Sequence, residues 1–282
     1  KNRTRRKQLS KLLNEGNDLM SSMQTEHRTY WNERIDQVMR SSDNESIPRS
    51  KDAGTLIDGK LVMHNGIKID PLSYYSFPLL EMLISNQGVH EPQEEKIFQE
   101  VIHSLSRKQE QKTMLELGAY WSFYSMWFKK VFPNSRTYMA EPKRENYLYG
   151  KVNFKLNKLK GTFIHTKIGK QDIPEKNVKK VDSICAEQNI DFLDILHSDI
   201  QGFELDMLDG SHRMLSEQKI GYIFISTHSD ELHYDCKKLL ESKYNYQQVA
   251  SADLKESYSW DGILVMKLPN YEGIREVEIS KR

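Results

Sequence analysis

Only two cysteines occur in the 282-residue chain, Cys185 and Cys236. They are too few for a disulfide framework or a cysteine zinc site, and they suit a reducing compartment. Net charge is nearly absent too, since 41 Lys and Arg stand against 40 Asp and Glu, a formal +1. No bulk field therefore draws the chain to nucleic acid or to an anionic membrane. Apolar runs are short, and none approaches the roughly 20 residues that span a bilayer. The N-terminus is too polar for a secretory signal. It begins at Lys1 rather than Met, as a fragment or a trimmed chain does. With 8 Pro and 14 Gly, collagen-like and low-complexity classes are excluded. A cytoplasmic globular protein is the expectation. What is present agrees, because 38% hydrophobic, 10% aromatic and 29% charged residues can build a core.

Near the N-terminus, five of the first seven residues are basic (Lys1, Arg3, Arg5, Arg6, Lys7), which reads as a solvated helix start. Leu9, Leu13, Met20, Met23, Tyr30 and Val38, widened by Leu12, Leu19, Trp31 and Ile35, predict an amphipathic helix to about Arg40. Its stripe must cover either the rest of the chain or a second copy in a homodimer. Gly16 and Asn17 interrupt the seam, which favours docking over a long coiled coil. The polar stretch 41–54, with Pro48 and Gly54, reads as a linker. Asp58-Gly59 between short apolar runs predicts a hairpin, and His64-Asn65-Gly66 a further turn. Pro92 opens a helix with Ile97, Phe98, Val101, Ile102 and Leu105 on its apolar face. The chain so divides into a helix and linker (1–50), a hairpin and helical cap segment (51–108) and a larger domain (109–282).

Beyond Lys112 the pattern becomes strands alternating with helices. Strands are predicted over 113–117, 137–140, 162–166, 193–196, 222–226, 247–250 and 263–267. Helices are predicted over 121–131, 144–159, 183–188, 204–215 and 232–243. Such alternation predicts an α/β fold, a mostly parallel seven-stranded sheet with helices on both faces. Ligands then sit beyond the carboxyl ends of the strands, where the strand order reverses, so residues just after each strand become the candidates.

After the first of these strands come Glu116-Leu117-Gly118-Ala119-Tyr120-Trp121-Ser122 and, one turn on, Ser125. Gly118 lets backbone approach closely, and the helix start offers free N–H groups to a carboxylate. Only one glycine is present, which is too little bare backbone for a dinucleotide pyrophosphate; an amino-acid-bearing adenosine needs less. The second strand ends in Glu141-Pro142, where a carboxylate about 25 residues past the glycine turn suits ribose hydroxyls. The fourth ends in Asp199-Ile200-Gln201-Gly202-Phe203-Glu204, with Asp199 and Gln201 toward the site and Glu204 either there or at the helix start. The fifth ends in Ser226-Thr227-His228, which makes His228 a candidate general base beside Asp199. Asp199, His228 and His233 are also a candidate transition-metal set, although their spacing is no recognised signature. His103 and His165 read as ordinary face residues.

Leu115-Glu116-Leu117-Gly118-Ala119, Glu141-Pro142, Asp199-Ile200-Gln201-Gly202-Phe203-Glu204 and Asp261-Gly262-Ile263-Leu264-Val265 together resemble the FkbM family of S-adenosylmethionine-dependent methyltransferases. The run from His90 to Glu95 resembles an entrance segment of some members, and the likeness extends over about residues 64–267. Ser122 departs from it, where many members place a second glycine. The resemblance implies a Rossmann-like class I methyltransferase fold preceded by an N-terminal helical and hairpin extension, with S-adenosylmethionine as cofactor. It implies Glu116 and Gly118 along the methionine part, Glu141 on the ribose, Asp199 near the transferable methyl, and a sugar or glycan hydroxyl as acceptor. Ala119, Tyr120, Trp121, Ser125, Pro142 and Gln201 complete the expected cofactor contacts, Tyr120 and Trp121 by offering aromatic faces to a sulfonium. A hydroxyl acceptor requires a base or a divalent metal, so Asp199 and His228 are the catalytic candidates. A nucleotide-cofactor dehydrogenase and a non-catalytic interaction module working through the N-terminal helix are the alternatives.

Overall fold

The computed structural model describes residues 25–74, 77–107 and 110–282. The basic tip and the stripe residues Leu9, Leu12, Leu13, Leu19, Met20 and Met23 lie outside the described residues, as does the side chain of Tyr30.

Helix α1 (Thr25–Arg40) turns Arg34 and Val38 inward, both buried, against the rest of the chain. The 41–54 stretch that follows is tethered, because buried Asp43 pairs with Lys96 at 2.9 Å and accepts the Ser280 N–H. Strands β1 (Leu56–Ile57) and β2 (Lys60–Val62) form the expected hairpin. Asp58 and Gly59 both have positive φ, 51° and 72°, the backbone that a tight two-residue turn with native strand twist requires. Strand β3 (Lys68–Ile69) pairs with β2, and helices α2 (Phe77–Ser85) and α3 (Pro92–Leu105) follow. Glu95 reaches back over the start of α3 and accepts the N–H groups of His90 and Glu91, satisfying donors that the first turn leaves open.

The second part alternates as expected. Its elements are β4 (Thr113–Leu117), α4 (Phe123–Val131), β5 (Arg136–Ala140), α5 (Arg144–Leu156), β6 (Thr162–Ile164), β7 (Lys167–Ile168), β8 (Val178–Lys179), α6 (Val181–Glu187), β9 (Leu193–Ser198), α7 (Glu204–Asp209), α8 (His212–Ser216), β10 (Ile220–Thr227), α9 (Asp230–Tyr244), β11 (Gln247–Ala252) and β12 (Gly262–Lys267). Seven of the strands form one sheet in the order β11-β12-β10-β9-β4-β5-β6. Its neighbours pair parallel except at β12, which runs antiparallel to both β10 and β11. Every residue of β4, β9, β10 and β12 is buried, as befits strands covered on both faces. One apolar cluster joins Met114, Phe128 and Phe224 to Val38, Leu61 and Phe98, so the N-terminal elements share the core of that face. Leu115, Val181, Leu208 and Leu240 lie in the cluster on the other.

Most boundaries shift by a few residues from the pattern reading, and three of the departures have a clear local reason. The helix expected from 121 starts at Phe123, because Tyr120 and Ser122 adopt positive φ. The helix expected over 204–215 breaks at Gly210, which packs against the Gly169 carbonyl where a Cβ would sit 2.4 Å away. The strand expected over 162–166 stops at Ile164; Lys167 and Ile168 leave the sheet and pair with β8. Among the described residues no helix is long and apolar enough to cross a membrane.

Candidate active site

Strand order reverses between β4 and β9, and the turns leaving these two strands touch. Gly118 holds φ at +66°, and a Cβ placed there would lie 1.7 Å from the Asp199 carbonyl oxygen. Only glycine permits that approach. The Asp199 N–H donates in turn to the Leu117 carbonyl. Tyr120 and Ser122 also adopt positive φ, 43° and 64°, so Ser122 takes the left-handed backbone that a second glycine would supply.

Glu141, at the end of β5, braces this turn. Its Oε2 accepts the Tyr120 N–H at 2.9 Å and its Oε1 the Lys143 N–H at 2.7 Å. Burial raises its carboxyl above the usual range despite those two bonds. Beside it opens a cavity of about 470 Å³, lined by Gly118, Tyr120, Glu141, Pro142, Asp199 and Gln201. The opposite wall, from Ile168, Gly169, Ile173 and Val178 with exposed Phe203 at the rim, was not visible in the sequence. Strands of two residues are too short to show a period.

A second cavity of about 190 Å³ shares Gly118, Tyr120, Asp199 and Gln201 with the first. It also takes in Glu116, Ala119 and Trp121 from the β4 turn, Glu91 from the start of α3, Trp260 and Asp261 from the approach to β12, and Trp31 and Arg34 from α1. Trp121 is in addition a core residue, stacked on Phe123 at 5.1 Å. Ser125 reaches neither cavity; its N–H donates to Glu116 Oε2 at 3.1 Å and positions that carboxyl. Burial lifts Glu116 to about 7, against the charge of His197 and the bonds from Ser125.

His228 sits among three carboxylates. Its Nδ1 lies 2.6 Å from Glu204 Oε1, and its Nε2 lies 3.3 Å from both Asp199 Oδ1 and Asp261 Oδ1. Burial alone lowers its pKa, but the bonds to Asp199 and Glu204 and the charge of Asp261 overcome this and raise it to about 10. The ring is an imidazolium at neutral pH. Glu204, in the first turn of α7, holds His228 and accepts the Gly202 N–H. Asp261 is raised to about 6 by burial and by Asp199. His233 stands apart, with Nδ1 bonded to Thr227 and Nε2 to Ser251, so the structure does not gather the candidate metal set of Asp199, His228 and His233. Among the described residues no group of three or more His, Cys, Asp or Glu side chains could hold a metal ion. His165 is engaged with the Pro142 carbonyl.

Behind the smaller cavity lies a buried charge network. Glu95 is clamped by His64 Nε2 at 2.8 Å and His90 Nδ1 at 2.6 Å. Glu94 pairs with His197 at 2.6 Å and accepts from Ser226. Glu91 meets His90 at 3.3 Å and the Tyr124 hydroxyl at 3.1 Å. Burial raises Glu91 to about 8 despite the His90 charge. His90 rises to about 9 because Glu95 and Glu91 outweigh its desolvation.

Numbered by their order along the chain, the seven strands lie 3-2-1-4-5-7-6 with only the seventh reversed. That order, with one glycine rather than three at the first turn, defines a Rossmann-like protein of the methyltransferase class. Within that class the chain belongs to the FkbM family, since the sequence model of the methyltransferase FkbM domain matches residues 91–247. Among solved structures it is similar to precorrin-6y C5,15-methyltransferase from Geobacter metallireducens, at 14% identity over 61% of this chain and 87% of that one, TM-score 0.43. It is also similar to TrmK of M. capricolum in complex with S-adenosylhomocysteine, at 11% identity over 63% and 71%, TM-score 0.40. A third is the tRNA (uracil-54, C5)-methyltransferase of Pyrococcus abyssi in complex with S-adenosylhomocysteine, at 12% identity over 62% and 38%, TM-score 0.40. Likenesses this distant say nothing of substrate. No curated protein matches the chain.

Proposed function

We propose that this chain transfers a methyl group from S-adenosylmethionine to a hydroxyl oxygen of a sugar, a glycan or a related metabolite. The observation that carries the reading is the meeting of two cavities at Asp199, one sized for a nucleoside and braced by Glu141, the other lined by carboxyls and aromatic rings.

The residues present fit S-adenosylmethionine. Glu141 would hold the ribose, the apolar wall of Ile168, Ile173 and Val178 would cover the adenine, and bare backbone at Gly118 would pass the amino-acid tail toward Glu116. Tyr120, Ala119, Pro142 and Gln201 would flank it, while Ser125 acts through Glu116. Bound there, the cofactor supplies an electrophilic methyl on a positively charged sulfur.

What the chain itself must do is align the acceptor and take its proton. Asp199, about one-third exposed and shared by both cavities, is the base in this reading. His228 already carries a proton with a pKa raised to about 10, so its part is to sit as a positive charge between Asp199 and Asp261 and position both. Glu91, protonated below about 8, can donate to an acceptor oxygen.

Calorimetry and a labelled-methyl screen test the reading. S-adenosylhomocysteine should bind, and a thermal-shift comparison should favour it over NAD. Glu141→Ala should weaken that binding about ten- to a hundredfold, as loss of charge-assisted bonds does. Asp199→Asn should leave binding nearly intact and lower turnover about 10²–10⁴-fold. No affinity for S-adenosylhomocysteine would sink the proposal.

A further inference from the structure

We infer that Arg34, together with Trp31 and Trp260, forms a subsite for an anionic group on the acceptor, a carboxylate or phosphate carried by a sugar ring. This rests on the smaller cavity being the acceptor chamber.

Arg34 is only 6% exposed, and its Nε is buried without a hydrogen-bond partner. Its guanidinium lies 3.3 Å from the centroid of the Trp260 ring, and Trp31 stands 5.4 Å from that ring. All three line the smaller cavity. Asp261 feels the positive charge, which offsets part of the rise in its pKa, but among the described residues no ion pair joins them. A buried charge left unpaired is strongly unfavourable, whereas stacking on an indole returns only a part of that cost. The stack alone therefore does not account for a charge held in this place, and an arriving anion would. A guanidinium presents a planar fork that matches carboxylate or phosphate oxygens two at a time, and the indoles offer flat apolar surface to the C–H face of a ring. Arg34, Trp31 and Trp260 all lie outside the segment matched to the family, 91–247.

The test uses tryptophan fluorescence of the full chain, with and without saturating S-adenosylhomocysteine, at constant ionic strength. D-glucuronate, D-glucose 6-phosphate and D-glucose are the probes. One acidic sugar should bind about tenfold or more tighter than glucose, the ordinary value of a charge-assisted pair; which acid it is separates carboxylate from phosphate. Arg34→Gln should erase the preference while keeping S-adenosylhomocysteine affinity and a melting temperature within a few degrees. Arg34→Lys should keep part of it. Equal binding of all three sugars, no response to either acid, or an undiminished preference in Arg34→Gln overturns the subsite and makes Arg34 a staple for α1. Failure of S-adenosylhomocysteine to bind strikes the methyl-transfer reading instead, and the titrations without it still report on the anion.

Discussion

The two cavities are built on opposite plans. The larger one is assembled from strand ends and the turns that leave them. Its close approaches are backbone to backbone, as at Gly118 and Asp199, and its one buried carboxylate spends both oxygens on main-chain N–H groups. The smaller one is assembled from side chains of several segments far apart in sequence and backed by paired histidines and glutamates. Placement in the first is mainly steric; in the second it is electrostatic and depends on which groups hold protons.

The largest effect should come from breaking the steric side. Gly118→Ala combines a left-handed backbone with a Cβ driven against the main-chain oxygen of Asp199, and neither β4 nor β9 can yield at the centre of the sheet. The expected loss is about 4 kcal/mol or more, in the range reserved for backbone strain compounded by overpacking. S-adenosylhomocysteine affinity should fall at least a hundredfold, about 2.7 kcal/mol. A variant that melts within 2 °C of the parent, by the roughly 2–4 °C that each kcal/mol moves a protein of this size, and binds as before would disprove the close approach.

The electrostatic side should respond to pH. Glu91 is raised to about 8, Glu116 to about 7, Asp261 to about 6 and His90 to about 9. Each holds its proton more tightly folded than unfolded, so its contribution is full below its unfolded value and is lost as pH climbs through the folded one. Glu95 has the opposite sign, depressed by His90 and His64 against its own burial; its contribution is present above the ordinary carboxylate range and lost only in strong acid. Without cofactor, the melting temperature should therefore peak near about pH 5 and fall by roughly 5 °C toward pH 9. Glu91→Gln, which keeps a neutral hydrogen-bonding head at every pH, should flatten part of that limb. A melting temperature constant from pH 5 to 9 would show that these groups titrate alike folded and unfolded.

The same contrast explains what could be read in advance. Glu116, Gly118, Glu141 and Asp199 were legible because each sits within a few residues of the strand that positions it, and the alternation of strands and helices locates the strand ends. The far wall at Ile168 to Val178 was not, because its two-residue strands carry no periodicity and owe their place to pairing with each other. Arg34 was hidden for another reason. On a helix read for its apolar stripe, a charged residue looks solvated, and its contact with Trp260, distant in sequence, does not show in the pattern. His228 reads as a candidate from its place after a strand, but its charge state depends on Glu204 and Asp261 converging on it, which no linear pattern displays.

The smallest effect tests the steric side most finely. Ser122 holds φ at +64° at the start of α4, a conformation that costs a non-glycine residue about 1 kcal/mol or more. Ser122→Gly relieves that strain but adds about 0.5–1 kcal/mol of unfolded-chain entropy. The terms nearly cancel, so the melting temperature should move by less than about 2 °C, with S-adenosylhomocysteine affinity unchanged within about twofold, roughly 0.4 kcal/mol. Ser122→Val sharpens the test, because a β-branched side chain at positive φ is a genuine outlier and should cost about 2 kcal/mol more. If the glycine and valine variants melt together, residue 122 does not hold the left-handed backbone, and the turn reaches the cavity by some path other than the one that Gly118 and Ser122 now share.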